Sequence, residues 1–206
     1  MTSRSPAKAP TTRAESDRPA LARTLIDAIL GLAEHIVPLC VVTAGMFLAM
    51  TALEFFYFEG LSGGLASLDL RVFGFAPDDG MAWLTALGRR GSEIIIVWHY
   101  LTFDLVFPAL LSVTLASAIL ALGERLPGFA AMAKGARALL AIGLVVPYML
   151  ADYAENIAVA RLLSDFLYAN PESLAFASTL VVLKFALLAI PFAALVALYV
   201  VGRKAA

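Results

Sequence analysis

Tyr148, Asp152, Glu155 and Asn156 interrupt a long apolar stretch at helical intervals. Asp152, Glu155 and Asn156 stand at i, i+3 and i+4, and Tyr148 lies one turn before Asp152, so a helix presents all four on one face. Three chemistries use such a stripe. Carboxylate and amide oxygens are ligands for a hard cation. A buried carboxylate beside a lipid or isoprenoid is a general acid or base. Polar groups also hold membrane helices together, at about 0.6 kcal/mol per hydrogen bond. Two carboxylates so close repel each other, and Lys184 is the nearest partner the chain offers. A contact of Lys184 with Asp104, Asp152 or Glu155 is expected.

Length decides which polar residues are forced into a bilayer. The charge-free run before Asp152, Ala138 to Ala151, has fourteen residues. At about 1.5 Å per residue it covers roughly 21 Å, less than the about 30 Å of hydrocarbon. Asp152, with Glu155 and Asn156 behind it, is therefore submerged and must face neighbouring helices rather than lipid. Asp104 and Lys184 each precede a charge-free run of eighteen residues. Both have room to sit near the boundary, and Lys184 can snorkel. Glu54 lies close to the end of an earlier run, and Glu34 and His35 lie at its start.

Four segments carry this pattern, approximately 36–58, 94–122, 138–163 and 178–201. The chain is 61% hydrophobic and 15% charged, against about half and about a quarter in soluble domains. The expected fold is an all-α bundle of four transmembrane helices forming one membrane domain over 23–206. Residues 1–22 read as a disordered tail, without the apolar core of a cleavable signal. From Arg23, apolar positions at helical spacing predict a short amphipathic helix on the membrane surface. Pro38, Pro108, Pro147 and Pro191 place one proline in each span, and the last three invite kinks at mid-depth.

Lys and Arg gather in the tail, in the second connection (Arg125, Lys134, Arg137) and at the C-terminus (Arg203, Lys204). This asymmetry predicts both termini on the cytoplasmic side of a bacterial inner membrane. Glu54, His99, Asp104, Asp152, Glu155, Asn156 and Lys184 then share the outer half of the bilayer, in a layer reachable from outside. The outer loop 59–93 opens with a glycine-rich linker. It then starts a short extracytoplasmic helix at Pro77-Asp78-Asp79 that stops at Gly88. That helix either lies on the interface with Trp83 as anchor or covers a site between the spans.

Net charge of −1 gives no field for nucleic acid, and a single cysteine, Cys40, excludes both an internal disulfide and a thiolate zinc site. Walker A, GxGxxG, GxSxG and HExxH patterns are absent. His35 and His99 fall on opposite faces and cannot share a haem. A hard-cation site from Asp104, Asp152, Glu155 and Asn156 is conceivable. A zinc site on His99 has no spaced motif behind it. No cofactor, metal or catalytic residue is assigned.

The set Leu68-Asp69, Gly74-Phe75-Ala76-Pro77, Leu87-Gly88-Arg89-Arg90-Gly91, Asp104, Phe107-Pro108 and Asp152-Tyr153-Ala154-Glu155-Asn156 resembles an uncharacterised group of small bacterial four-span membrane proteins. The resemblance implies fold and location and carries no activity. Leu111 replaces the tyrosine expected three residues after Pro108. The expectation is therefore an integral membrane binding or accessory protein, touching membrane lipid. Its polar pocket would take a lipid-like or cationic ligand and comprise Asp152, Glu155, Asn156, Asp104, Lys184, Tyr148, His99 and Glu54. A membrane enzyme acting on a lipid through a buried carboxylate, and a structural subunit of a homo-oligomer or larger complex, are the alternatives.

Overall fold

A computed structural model of the chain describes residues 20–165 and 167–205. Helix α1 (Ala20–Ala33) leads into α2 (Ile36–Leu61), α3 (Pro77–Gly123), the short α4 (Pro127–Ala130), α5 (Lys134–Ser164) and α6 (Pro171–Ala205). The four long helices α2, α3, α5 and α6 are each long and apolar enough to cross a membrane. The described residues contain no strand. The tail expected at 1–22 lies almost wholly outside the described residues, and the helix after it begins at Ala20. Rather than resting on lipid alone, α1 tucks Ile29, Leu30 and Ala33 against α3 and α5.

Two departures from α-geometry matter for the site. The backbone of α2 widens to π-type turns over Glu54–Phe58, and that of α3 does so over Ile96–Phe103. Such turns rotate the following side chains relative to a regular helix and recur at functional sites. Here they carry Glu54 and His99. A further departure, away from the site, is Gly88, with φ 58° and ψ −174°, inside the long helix α3. That region is open essentially to glycine alone. The break ends the extramembrane stretch where the sequence expects it, and the chain re-enters helix at once.

That stretch packs its apolar face into the bundle. Trp83 and Leu84 are fully buried and pack with Leu68, Val159, Leu162 and Leu174. Trp83 is therefore a core residue and not an interfacial anchor. The stretch has an apolar face at helical spacing, and burying it against α5 and α6 removes more apolar area from contact with water than an exposed position would. The result is a roof over the bundle.

The interior is ordered in three levels along α3, α5 and α6. Near the first and third connections is an apolar cluster that includes Phe58, Leu68, Trp83, Tyr100, Val159 and Leu174. Towards the other end is a second apolar cluster of Leu115, Ala116, Ile119, Leu120, Ala141 and Val145. Between them lies a polar layer. On α5 the order reads Val145, then Tyr148 to Asn156, then Val159 and Leu162. Away from that layer, Thr43 on α2 bonds Thr114 on α3 at 2.7 Å and ties the first span to the second.

Candidate functional site

The polar layer divides into two linked groups. In the first, Lys184 Nζ on α6 donates to Glu155 Oε2 at 2.8 Å and stands 3.5 Å from Asp152 Oδ1. Tyr148 donates its hydroxyl to Asp152 Oδ2 at 2.7 Å along α5. Both carboxylates thus share one ammonium, and Glu155 is completely buried.

The second group centres on His99. Its Nε2 lies 3.0 Å from Asp69 Oδ2 and 2.9 Å from Asp104 Oδ2. Asp69 comes from a single 3₁₀ turn, Leu68–Leu70, in the first connection. Leu68 anchors that turn in the apolar roof. Phe58 meets the His99 ring edge-on, with centroids 5.8 Å apart, which fixes the imidazole plane. Glu54 completes the group. Its Oε1 accepts from the Ser67 amide at 3.1 Å, two residues before Asp69. Burial alone would push the Asp69 carboxyl up. The His99 ring beside it, by charge and by hydrogen bond, overcomes that and holds it at about 2, so Asp69 is ionised at neutral pH.

Asn156 joins the two groups through a defect in α3. Pro108 has no N–H, so the carbonyl four residues earlier, that of Asp104, lacks its helical donor. Asn156 Nδ2 reaches across from α5 and donates to that carbonyl at 3.3 Å. A neighbouring helix thereby supplies what the proline removed.

All eight residues expected at the site fall in this layer, and each is at most 7% exposed. Two expectations need correction. Lys184 does not snorkel and Asp104 does not reach solvent; both are buried and held by His99 and by the α5 carboxylates. Nor is the layer open at the end of the bundle that carries the first and third connections, because Leu68 and the roof around Trp83 and Leu84 cover it. Asp69, Tyr100 and the Ser67 amide are participants that a helix-by-helix reading of polar residues misses. The signal for Asp69 was an acidic residue flanked by Leu68 and Leu70 in a loop, where a solvated carboxylate needs no such neighbours.

Several buried oxygens lack a hydrogen-bond partner within the protein: Glu54 Oε2, Asp69 Oδ1, Glu155 Oε1, Asn156 Oδ1 and the Tyr100 hydroxyl. Such groups carry the full desolvation penalty, about 1–3 kcal/mol each and more if charged. The charge balance is also uneven. Among the described residues, the buried acids are Glu54, Asp69, Asp104, Asp152 and Glu155, and the buried bases are His99 and Lys184. Buried acids therefore outnumber buried bases in the layer among the described residues.

No protein-family model, curated protein or solved structure matches this chain. The class it defines is that of a multi-pass, all-helical membrane protein with a buried acidic layer.

Proposed function

We propose that the protein is an integral membrane binding protein whose polar layer takes a small cationic ligand, a metal ion or an organic ammonium. One observation carries this reading: five buried carboxylates face one lysine and one histidine. An isolated buried carboxylate is too costly to persist without a countercharge or a proton. A purely structural network would be expected to close on itself, whereas here carboxylate oxygens of Glu54, Asp69 and Glu155 remain unpartnered. The Lys and Arg distribution supports a bacterial inner membrane with cytoplasmic termini, which puts the layer in the outer half of the bilayer. The roof then acts as the cover through which a ligand must pass.

The test is a thermal-stability series on the purified protein in detergent, with magnesium, calcium, manganese, zinc and propylammonium titrated separately. A ligand that binds only the folded protein stabilises it by about 2.7 kcal/mol at a hundred times its Kd. At least one cation is expected to do this in the native protein and to do so less in Asp69→Asn. If none of the five raises the midpoint, the reading fails.

A further inference from the structure

We infer that Asp69, His99 and Asp104 form a binding site for a first-row divalent transition metal of the zinc class, with a coordination position left open. The inference rests on the cation-binding reading above and assigns it an address and a ligand chemistry.

The geometry is that of a coordination shell. One oxygen from each carboxylate and His99 Nε2 all lie within 4.8 Å of one another. The two N···O separations are 3.0 and 2.9 Å. Donors bound cis at about 2.1 Å from one ion stand about 3.0 Å apart, and in a tetrahedron at about 2.0 Å they stand about 3.3 Å apart. Two edges of the shell are therefore already in place, and the third, between the two carboxylate oxygens, is no longer than 4.8 Å. Hydrogen bonding alone explains this arrangement less well. Nε2 carries at most one proton, which can point at one carboxylate oxygen and not squarely at two.

A second observation points to a ligand independently. Asp69 Oδ1 and Glu54 Oε2 are buried and without a partner in the protein. Glu54 is pinned by the Ser67 amide, close in sequence to Asp69, and lies within electrostatic reach of both Asp69 and His99. Glu54 stands outside the set of three donors that lie within 4.8 Å of one another, so its free oxygen is assigned to a metal-bound water and not to the ion.

Donor type selects the ion. Two carboxylate oxygens and a nitrogen include one borderline-soft imidazole, which calcium and magnesium do not reward and zinc, manganese or ferrous iron do. Three firm protein ligands are characteristic of sites that keep a position for water or substrate, whereas structural zinc sites are closed by four. The segments that supply them are separately braced: the Leu68–Leu70 turn by the roof, His99 by Phe58, and Asp104 by Asn156.

The experiment uses the full chain purified in detergent with an affinity tag that is not polyhistidine, loaded with zinc and dialysed. Metal content is measured by mass spectrometry and the zinc coordination shell by X-ray absorption. The expected result is one zinc per chain, with a single imidazole among oxygen scatterers. His99→Gln should weaken zinc binding by at least about 100-fold, while His35→Gln leaves it unchanged. If His99→Gln fails to fold, the absorption spectrum of the native protein still decides. Less than a tenth of an equivalent of zinc, or a shell without imidazole, overturns the assignment. If zinc is not retained but calcium or propylammonium still stabilises the protein, this site fails and the broader cation reading stands. If no cation stabilises it, both fail.

Discussion

Replacing Lys184 by methionine separates two accounts of the polar layer by magnitude. Lys184 Nζ is 2.8 Å from Glu155 Oε2 and 3.5 Å from Asp152 Oδ1, with side chains no more than 9% exposed. If these contacts are ordinary interhelical hydrogen bonds, losing them costs about 0.6 kcal/mol each and at most about 1.7. If they are a buried ion pair, removing the cation strands two carboxylates and costs about 3–5 kcal/mol. The structure favours the larger figure, because Glu155 is fully buried and, among the described residues, Asp152 has only Tyr148 besides Lys184 as a side-chain donor. Reversible unfolding of the purified protein in mixed micelles reads the difference directly. Methionine keeps the apolar stem, so packing loss contributes little. The triple variant Lys184→Met, Asp152→Asn, Glu155→Gln removes charge on both sides and should recover most of the lost stability. A loss below about 1 kcal/mol for Lys184→Met, or a triple variant no better than the single, would refute the ion-pair reasoning.

Other variants probe the elements that hold the layer. Asn156→Ala should cost up to about 1.7 kcal/mol in the native background. It should cost much less beside Pro108→Ala, which restores the helical donor to the Asp104 carbonyl; a double-mutant cycle by the same unfolding assay reads the coupling. Gly74→Ala should destabilise by about 1–3 kcal/mol. Its φ is 82° and an added Cβ would stand 2.7 Å from Ser178 Oγ, which accepts the Phe75 amide, while Gly60→Ala meets open space and serves as the control. Trp83→Phe should change stability by less than about 1.5 kcal/mol, since it keeps most of the buried ring and removes an indole N–H that has no partner. Trp83→Ala should cost about 3–5 kcal/mol by leaving a cavity in the roof. Reporter fusions should place both termini on the same face of the membrane, as four spans require.

The four long apolar helices and the buried stripe on α5 were legible because hydrophobic length and helical period are local properties. Asp152, Glu155 and Asn156 had nowhere to go but inward, given only fourteen apolar residues before them. The ends were also close: the third span was expected over 138–163 and the helix runs Lys134–Ser164. What sequence reasoning missed depends on contacts between segments far apart. Asp69 and His99 are separated by 30 positions, and no spacing motif links a loop carboxylate to a histidine displaced by a π-type turn. The position of Trp83 was similarly hidden, because an amphipathic stretch with a tryptophan reads alike whether its apolar side meets lipid or protein. Asp104 and Lys184 looked free to sit at the boundary because each precedes a full-length apolar run. Their partners draw them into the layer.

The most direct test is an anomalous-difference map from crystals of the native protein grown with zinc, collected on both sides of the metal edge. The account predicts one peak about 2 Å from His99 Nε2 and from an oxygen of each of Asp69 and Asp104. A map without such a peak, in which the Glu54, Asp69 and Asp104 carboxylates meet only ordered water and protein donors, would contradict it.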